Sequence, residues 1–99
     1  MDLPAFRLSI AAGTPLAGLS LPLQALWWDA KGDWTKAHAC AQDARGPDGA
    51  AVHAYLHRKE PDLSNARYWY NQAGRTPFSG GLEDEWLALA TEFLSSGPG

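Results

Sequence analysis

A helix–breaker–helix pattern occurs twice in this chain, the second copy displaced by twenty-nine residues. LQALWWDAKGDWTKAHACAQDA (Leu23 to Ala44) is echoed by VHAYLHRKEPDLSNARYWYNQA (Val52 to Ala73). In that register Ala25 aligns with Ala54, Asp33 with Asp62, Ala37 with Ala66 and Ala44 with Ala73. Leu23/Val52, Thr35/Ser64 and Gln42/Asn71 are near matches. A helical unit that recurs at fixed spacing cannot bury its apolar face alone, so its copies must stack. The pattern therefore predicts two antiparallel helical hairpins and an all-α fold. Repeated helix pairs more often build interaction surfaces than reaction centres.

Breakers and caps set the boundaries. Ser20 suits the N-cap of a first helix running to about Lys31, with Pro22 tolerated in its first turn. Gly32 stops that helix and Asp33 caps the next. Trp34, Ala37, Ala41 and Ala44 then share one face, with Cys40 beside it. Gly46-Pro47-Asp48-Gly49 reads as a loop. A third helix covers about Ala50 to Glu60, with Val52, Tyr55 and Leu56 inward, and Pro61 ends it. Asp62 caps a fourth, whose inward face is Leu63, Ala66, Tyr70 and Ala73, flanked by Trp69. Gly74 suits its C-terminal end.

Arg75 to Gly81 is a linker. A last helix begins near Leu82, with Glu83, Asp84 and Glu85 complementing the positive end of its dipole. Leu82, Trp86, Leu89 and Phe93 make its stripe, widened by Ala90 and Leu94, as expected of a helix capping a short array. Residues 95–99 should fray. Residues 1–19 lack helical period and are broken by Pro4, Gly13, Pro15 and Gly18. Phe6, Leu8 and Ile10 alternate with polar residues, so an irregular arm lying on the helices is expected. The chain thus divides into an arm (1–19), two hairpins (20–45 and 49–74) and a capping helix (82–95), all in one domain. Trp34, Leu56, Leu63, Tyr70 and Trp86 are the predicted anchors of the core.

Composition narrows the function classes. A net charge of −3 with no block of like charge gives no footprint for nucleic acid or an anionic membrane. No apolar run reaches the roughly 18 residues a spanning helix needs. The single cysteine, Cys40, excludes an internal disulfide and fits a reducing compartment. Asp2, Pro4 and the lone base Arg7 argue against a cleaved signal peptide. A cytoplasmic location is expected. Five tryptophans in 99 residues should carry much of the stability.

The two-helix unit, with small residues at its crossing points, resembles a divergent tetratricopeptide-type hairpin, although its spacing is shorter than 34 residues and the Trp–Leu–Gly–Tyr pattern is not reproduced. VHAYLHRKEPDLSNARYWYNQAGR resembles a stretch in a group of small uncharacterised helical proteins of bacteria and fungi. That likeness spans about Trp27 to Arg75, with a Gly in the group where Pro61 stands here. It implies a fold and no activity.

His53, His57 and Glu60 stand at i, i+4 and i+7, within about 60° on a helical wheel. Two histidines one turn apart can chelate a divalent metal, and Glu60 could be a third ligand. HAYLH lacks the Glu of the zinc-protease motif, and the competing reading makes these residues the polar edge of a packed helix. His38 is the remaining histidine. It cannot pair with Cys40, because side chains two residues apart on a helix diverge by about 160°. The bases of His57-Arg58-Lys59-Glu60 suit the end of a helix dipole, and Lys59 lies close to the inward face, where it can pair with Glu60, Asp62 or Asp33. Gly80-Gly81 before a helix is a poor phosphate loop, since three acids follow.

Trp28, Tyr68 and Trp69, beside Arg58, make an aromatic and basic edge that could anchor a peptide or planar ligand, unless the N-terminal arm covers Trp28 and Tyr68. The leading expectation is a small interaction or scaffold module without catalysis or cofactor. It would use His53, His57, Glu60, Arg58, Tyr68, Trp69 and Trp28 towards an unknown protein or peptide, as a monomer or homodimer. The alternative is a metal- or small-ligand-binding protein built on His53, His57 and Glu60.

Overall fold

The computed structural model describes residues 1–14 and 17–95. The expectations for Pro15 and for residues 96–99 lie outside them. The described residues form six helices, α1 (Leu3–Ala12), α2 (Leu21–Ala30), α3 (Trp34–Asp43), α4 (Gly46–Lys59), α5 (Leu63–Ala73) and α6 (Leu82–Ser95), and no strand. The all-α reading holds. No helix among them is long and apolar enough to cross a membrane.

The repeat is physical. α2 packs on α3, and α4 packs on α5. Asp33 accepts from Lys36 N at 3.0 Å and Asp62 from Asn65 N at 3.2 Å, so both cap as expected. The turns share a closing bond, with Asp33 N on the Trp28 carbonyl and Asp62 N on the His57 carbonyl. Ala25 and Ala54 are both fully buried, as small residues at a helix crossing should be. Ser20 caps α2 and Gly74, in the left-handed region, ends α5.

Three boundaries differ from the sequence reading. The irregular arm is a helix, α1. Asp2 accepts from Ala5 N at 2.9 Å and Gly13, at φ 85°, closes the other end. The alternation of Phe6, Leu8 and Ile10 is incidental. Phe6 is buried while Leu8 is 70% exposed, and Ser9, one turn from Phe6, faces inward. Its hydroxyl donates to the Phe6 carbonyl and accepts from Trp27 Nε1 at 3.1 Å, satisfying an indole that is 1% exposed. The Gly46–Gly49 loop is likewise the first turn of α4. Proline is at home there, and Gly49 is required because a Cβ would lie 2.7 Å from the Ala44 carbonyl oxygen. Finally, α6 does not stack behind α5 as an end cap. It lies across α2 and α4, the first helices of both hairpins, and also meets α1. Trp86 anchors it by donating to the Leu26 carbonyl at 3.0 Å and packing on Phe6.

Of the expected core anchors, Leu56, Tyr70 and Trp86 are buried. Trp34 is half-buried, with its indole donating to the Leu56 carbonyl of the next hairpin at 3.0 Å. Leu63, its counterpart one repeat on, is 64% exposed, since no third hairpin follows to receive it.

Candidate metal centre

The sequence leaves one imidazole unassigned, His38, and α3 brings it to the other two. α3 and α4 are joined by a short connection, with His38 before it on α3 and His53 after it on α4. Antiparallel packing of the two helices therefore sets them opposite each other. Their Nε2 atoms are 2.8 Å apart. His57 follows His53 by one helical turn, and the two rings stack with centroids 5.0 Å apart. One ligating nitrogen from each of His38, His53 and His57 lies within 4.8 Å of the others.

Trp34 stacks on His38 at 4.7 Å, and Trp69 stacks on His53 at 3.9 Å, so indoles wall the cluster on two sides. His53 and His57 are only 3% and 8% exposed, and neither is an edge residue. Glu60 stands one shell out. It does not join His53; its carboxylate holds His57 Nδ1 at 2.6 Å. That bond fixes the ring and leaves His57 Nε2 as the free nitrogen, which is the outer-shell arrangement that orients metal-bound imidazoles. A second grouping, His57 with Glu60 and Asp62, is the poorer cage. Its Asp62 is already spent as the α5 cap, also accepting from Asn65 Nδ2 at 2.9 Å, and these bonds hold its carboxyl below the usual range.

The electrostatics favour neutral rings at His53 and His38. Burial, then repulsion from His38 and His57, pushes His53 down to about 4. Burial and His57 lower His38 as well, with Glu60 opposing. Neutral imidazole is the ligating form, so His38 and His53 need shed no proton near pH 7. Zinc–nitrogen bonds of about 2.0–2.1 Å place tetrahedral ligands about 3.4 Å apart, a spacing that small side-chain movements would reach from the present one. The donor set fits a borderline divalent ion such as zinc, copper or nickel.

The depressed His53 value has a stability consequence. Its unfolded-state value is near 6.5, so below that pH the unfolded chain takes up a proton the folded chain refuses. In metal-free buffer, stability should be full above pH 6.5 and fall by on the order of 3 kcal/mol as pH drops towards 4. Urea unfolding at stepped pH reads this directly. His53→Leu should flatten the slope, and an equally steep slope in that variant would show that His53 is not its source.

The other residues expected at the site are dispersed. Arg58 turns away to the buried Glu85, 2.8 Å from its Nη1, to the Gly80 carbonyl and over the Phe78 ring. Tyr70 donates to the same carboxylate at 2.5 Å. Trp28 is covered by the Lys36 ammonium, 4.3 Å from its ring centroid, and packs on Trp27. Tyr68 stays 53% exposed, edge-on to Trp69. Lys59 pairs with Asp29 at 2.8 Å, a partner the sequence reading did not consider. Cys40 is partly buried, and that burial raises its thiol above the ordinary value.

No protein-family model matches this chain, and neither a curated protein nor a solved structure matches it.

Proposed function

We propose that this protein binds a divalent transition-metal ion through His38, His53 and His57, with Glu60 orienting His57. The observation that supports this most is the convergence of three imidazoles from two helices inside a wall of indoles. Packing alone does not call for three basic rings at one point. Three nitrogen ligands leave a four-coordinate ion room for water or one further donor. The equivalence of the two hairpins supports kinship with tetratricopeptide-type units, and the single thiol suits a cytoplasmic setting. The interaction-module reading has less to stand on. The large exposed apolar residues, Met1, Leu8, Leu21, Leu63 and Tyr68, are spread over the N-terminus and three helices.

The test uses protein carrying no histidine tag. Elemental analysis should find a transition metal near one per chain, or apo protein should take one up. Zinc or nickel at a hundredfold excess over Kd should stabilise the fold by about 2.7 kcal/mol, seen as a rise in Tm. His38→Ala should abolish the rise, and Glu60→Gln should weaken binding about 10–100-fold. An undiminished rise in His38→Ala would overturn the reading.

A further inference from the structure

On the far side of α4 from the α3 contact lies a cavity of about 510 Å³, between α1, α2, α4 and α6. That volume is in the range of small-molecule sites. We infer that this cavity binds a small organic monoanion, a carboxylate carrying an apolar body, with its charged end towards Arg7 and Lys59.

Two cations, Arg7 and Lys59, and two carboxylates, Asp29 and Glu83, line the cavity, and they are not equally available. Asp29 lines it but is only 4% exposed, and both its oxygens are taken. Tyr55 donates to Oδ2 at 2.6 Å and Lys59 to Oδ1 at 2.8 Å. Each Asp29 oxygen therefore already accepts one strong hydrogen bond, and its charge is matched by Lys59. Tyr55 is held protonated, since burial and the Asp29 bond raise it well above an ordinary phenol. The Lys59 ammonium spends one of its three donors on Asp29, and its side chain is 41% exposed. Arg7, on α1, lines the same cavity as an exposed residue, with no carboxylate of the described residues within ion-pair distance. What remains for a visitor is a set of cationic N–H donors. The opposing group is Glu83 in the first turn of α6, an exposed carboxylate that also lines the cavity.

The walls between are apolar. Ile10, Leu82 and Trp86 line them, and the Trp86 N–H is already used on Leu26. A carboxylate ligand would replace the bulk water on Arg7 with a charge-assisted pair, and its body would cover the apolar wall. Nothing here draws on the histidine cluster, so the inference stands or falls separately from metal binding.

The test is calorimetric titration of the full chain in chelator with 2-naphthoate, beside 2-naphthylmethylammonium as a matched cation. The naphthoate should bind saturably and the ammonium at least about tenfold more weakly. Arg7→Gln, an exposed change that should leave Tm alone, should weaken naphthoate about tenfold, as expected for loss of one charge-assisted contact. Glu83→Gln should tighten it severalfold by removing a repulsive charge. Ala30→Phe, which projects bulk into the cavity, should block binding. Equal affinity for the ammonium, unchanged affinity in Arg7→Gln, or no saturable naphthoate binding into the millimolar range would each overturn the assignment.

Discussion

Trp86→Ala should lower stability by about 3–5 kcal/mol, the cost of excising a buried indole. For a domain of this size each kcal/mol moves Tm by about 4–8 °C, so the midpoint should fall by at least about 12 °C. The effect is large because Trp86 joins three elements. It is carried on α6, its ring meets Phe6 of α1 with centroids 5.9 Å apart, and its N–H reaches the Leu26 carbonyl of α2. Trp86→Phe keeps much of the apolar contact and gives up the hydrogen bond, which should cost about 1 kcal/mol beyond the smaller ring's lost area. Urea unfolding of both variants reads the difference. A Trp86→Ala cost below 1 kcal/mol would mean that α6 does not lie across α2.

The second large effect is expected at Arg58. Its partner Glu85 is 2% exposed and accepts from Arg58 and Tyr70. Arg58→Met removes the compensating charge and strands a carboxylate in the interior, at a cost of about 3–5 kcal/mol near pH 7. The value of the ion pair itself is smaller, and the loss reflects the desolvated charge left behind. A double variant separates these causes. Adding Glu85→Gln should restore much of the stability, because the amide carries no charge to strand. A double variant no more stable than Arg58→Met would place the cost elsewhere, in the lost packing over Phe78.

The candidate metal centre was half legible. His53 and His57 announce themselves by i, i+4 spacing within one helix. Glu60 was visible too, though it supports His57 rather than joining the cage. His38 was hidden because it comes from another helix. Two signals pointed to it. It lies one turn from Trp34, whose face was already assigned inward, and only the short α3–α4 connection separates its helix from that of His53. The Asp29–Lys59 pair had no such signal, since thirty residues separate its members.

What the sequence determined by itself was local and periodic. Asp33 and Asp62 declare their caps because an N-cap needs only a short side chain within three residues of an amide, and the repeat declares two equivalent hairpins. The start of α4 and the helicity of α1 were less plain. Gly46 and Pro47 serve a loop or a first turn equally well, and Phe6, Leu8 and Ile10 satisfy an alternating pattern as readily as they accompany a helix. There the tertiary partner decides. Trp27 needs an acceptor for its buried N–H, and only a helical α1 carries Ser9 to it. Packing also decided that α6 lies across both hairpins, that Leu63 faces water, and that three histidines meet. Each depends on which surfaces press together, and contact between distant residues is not encoded in the spacing of either one.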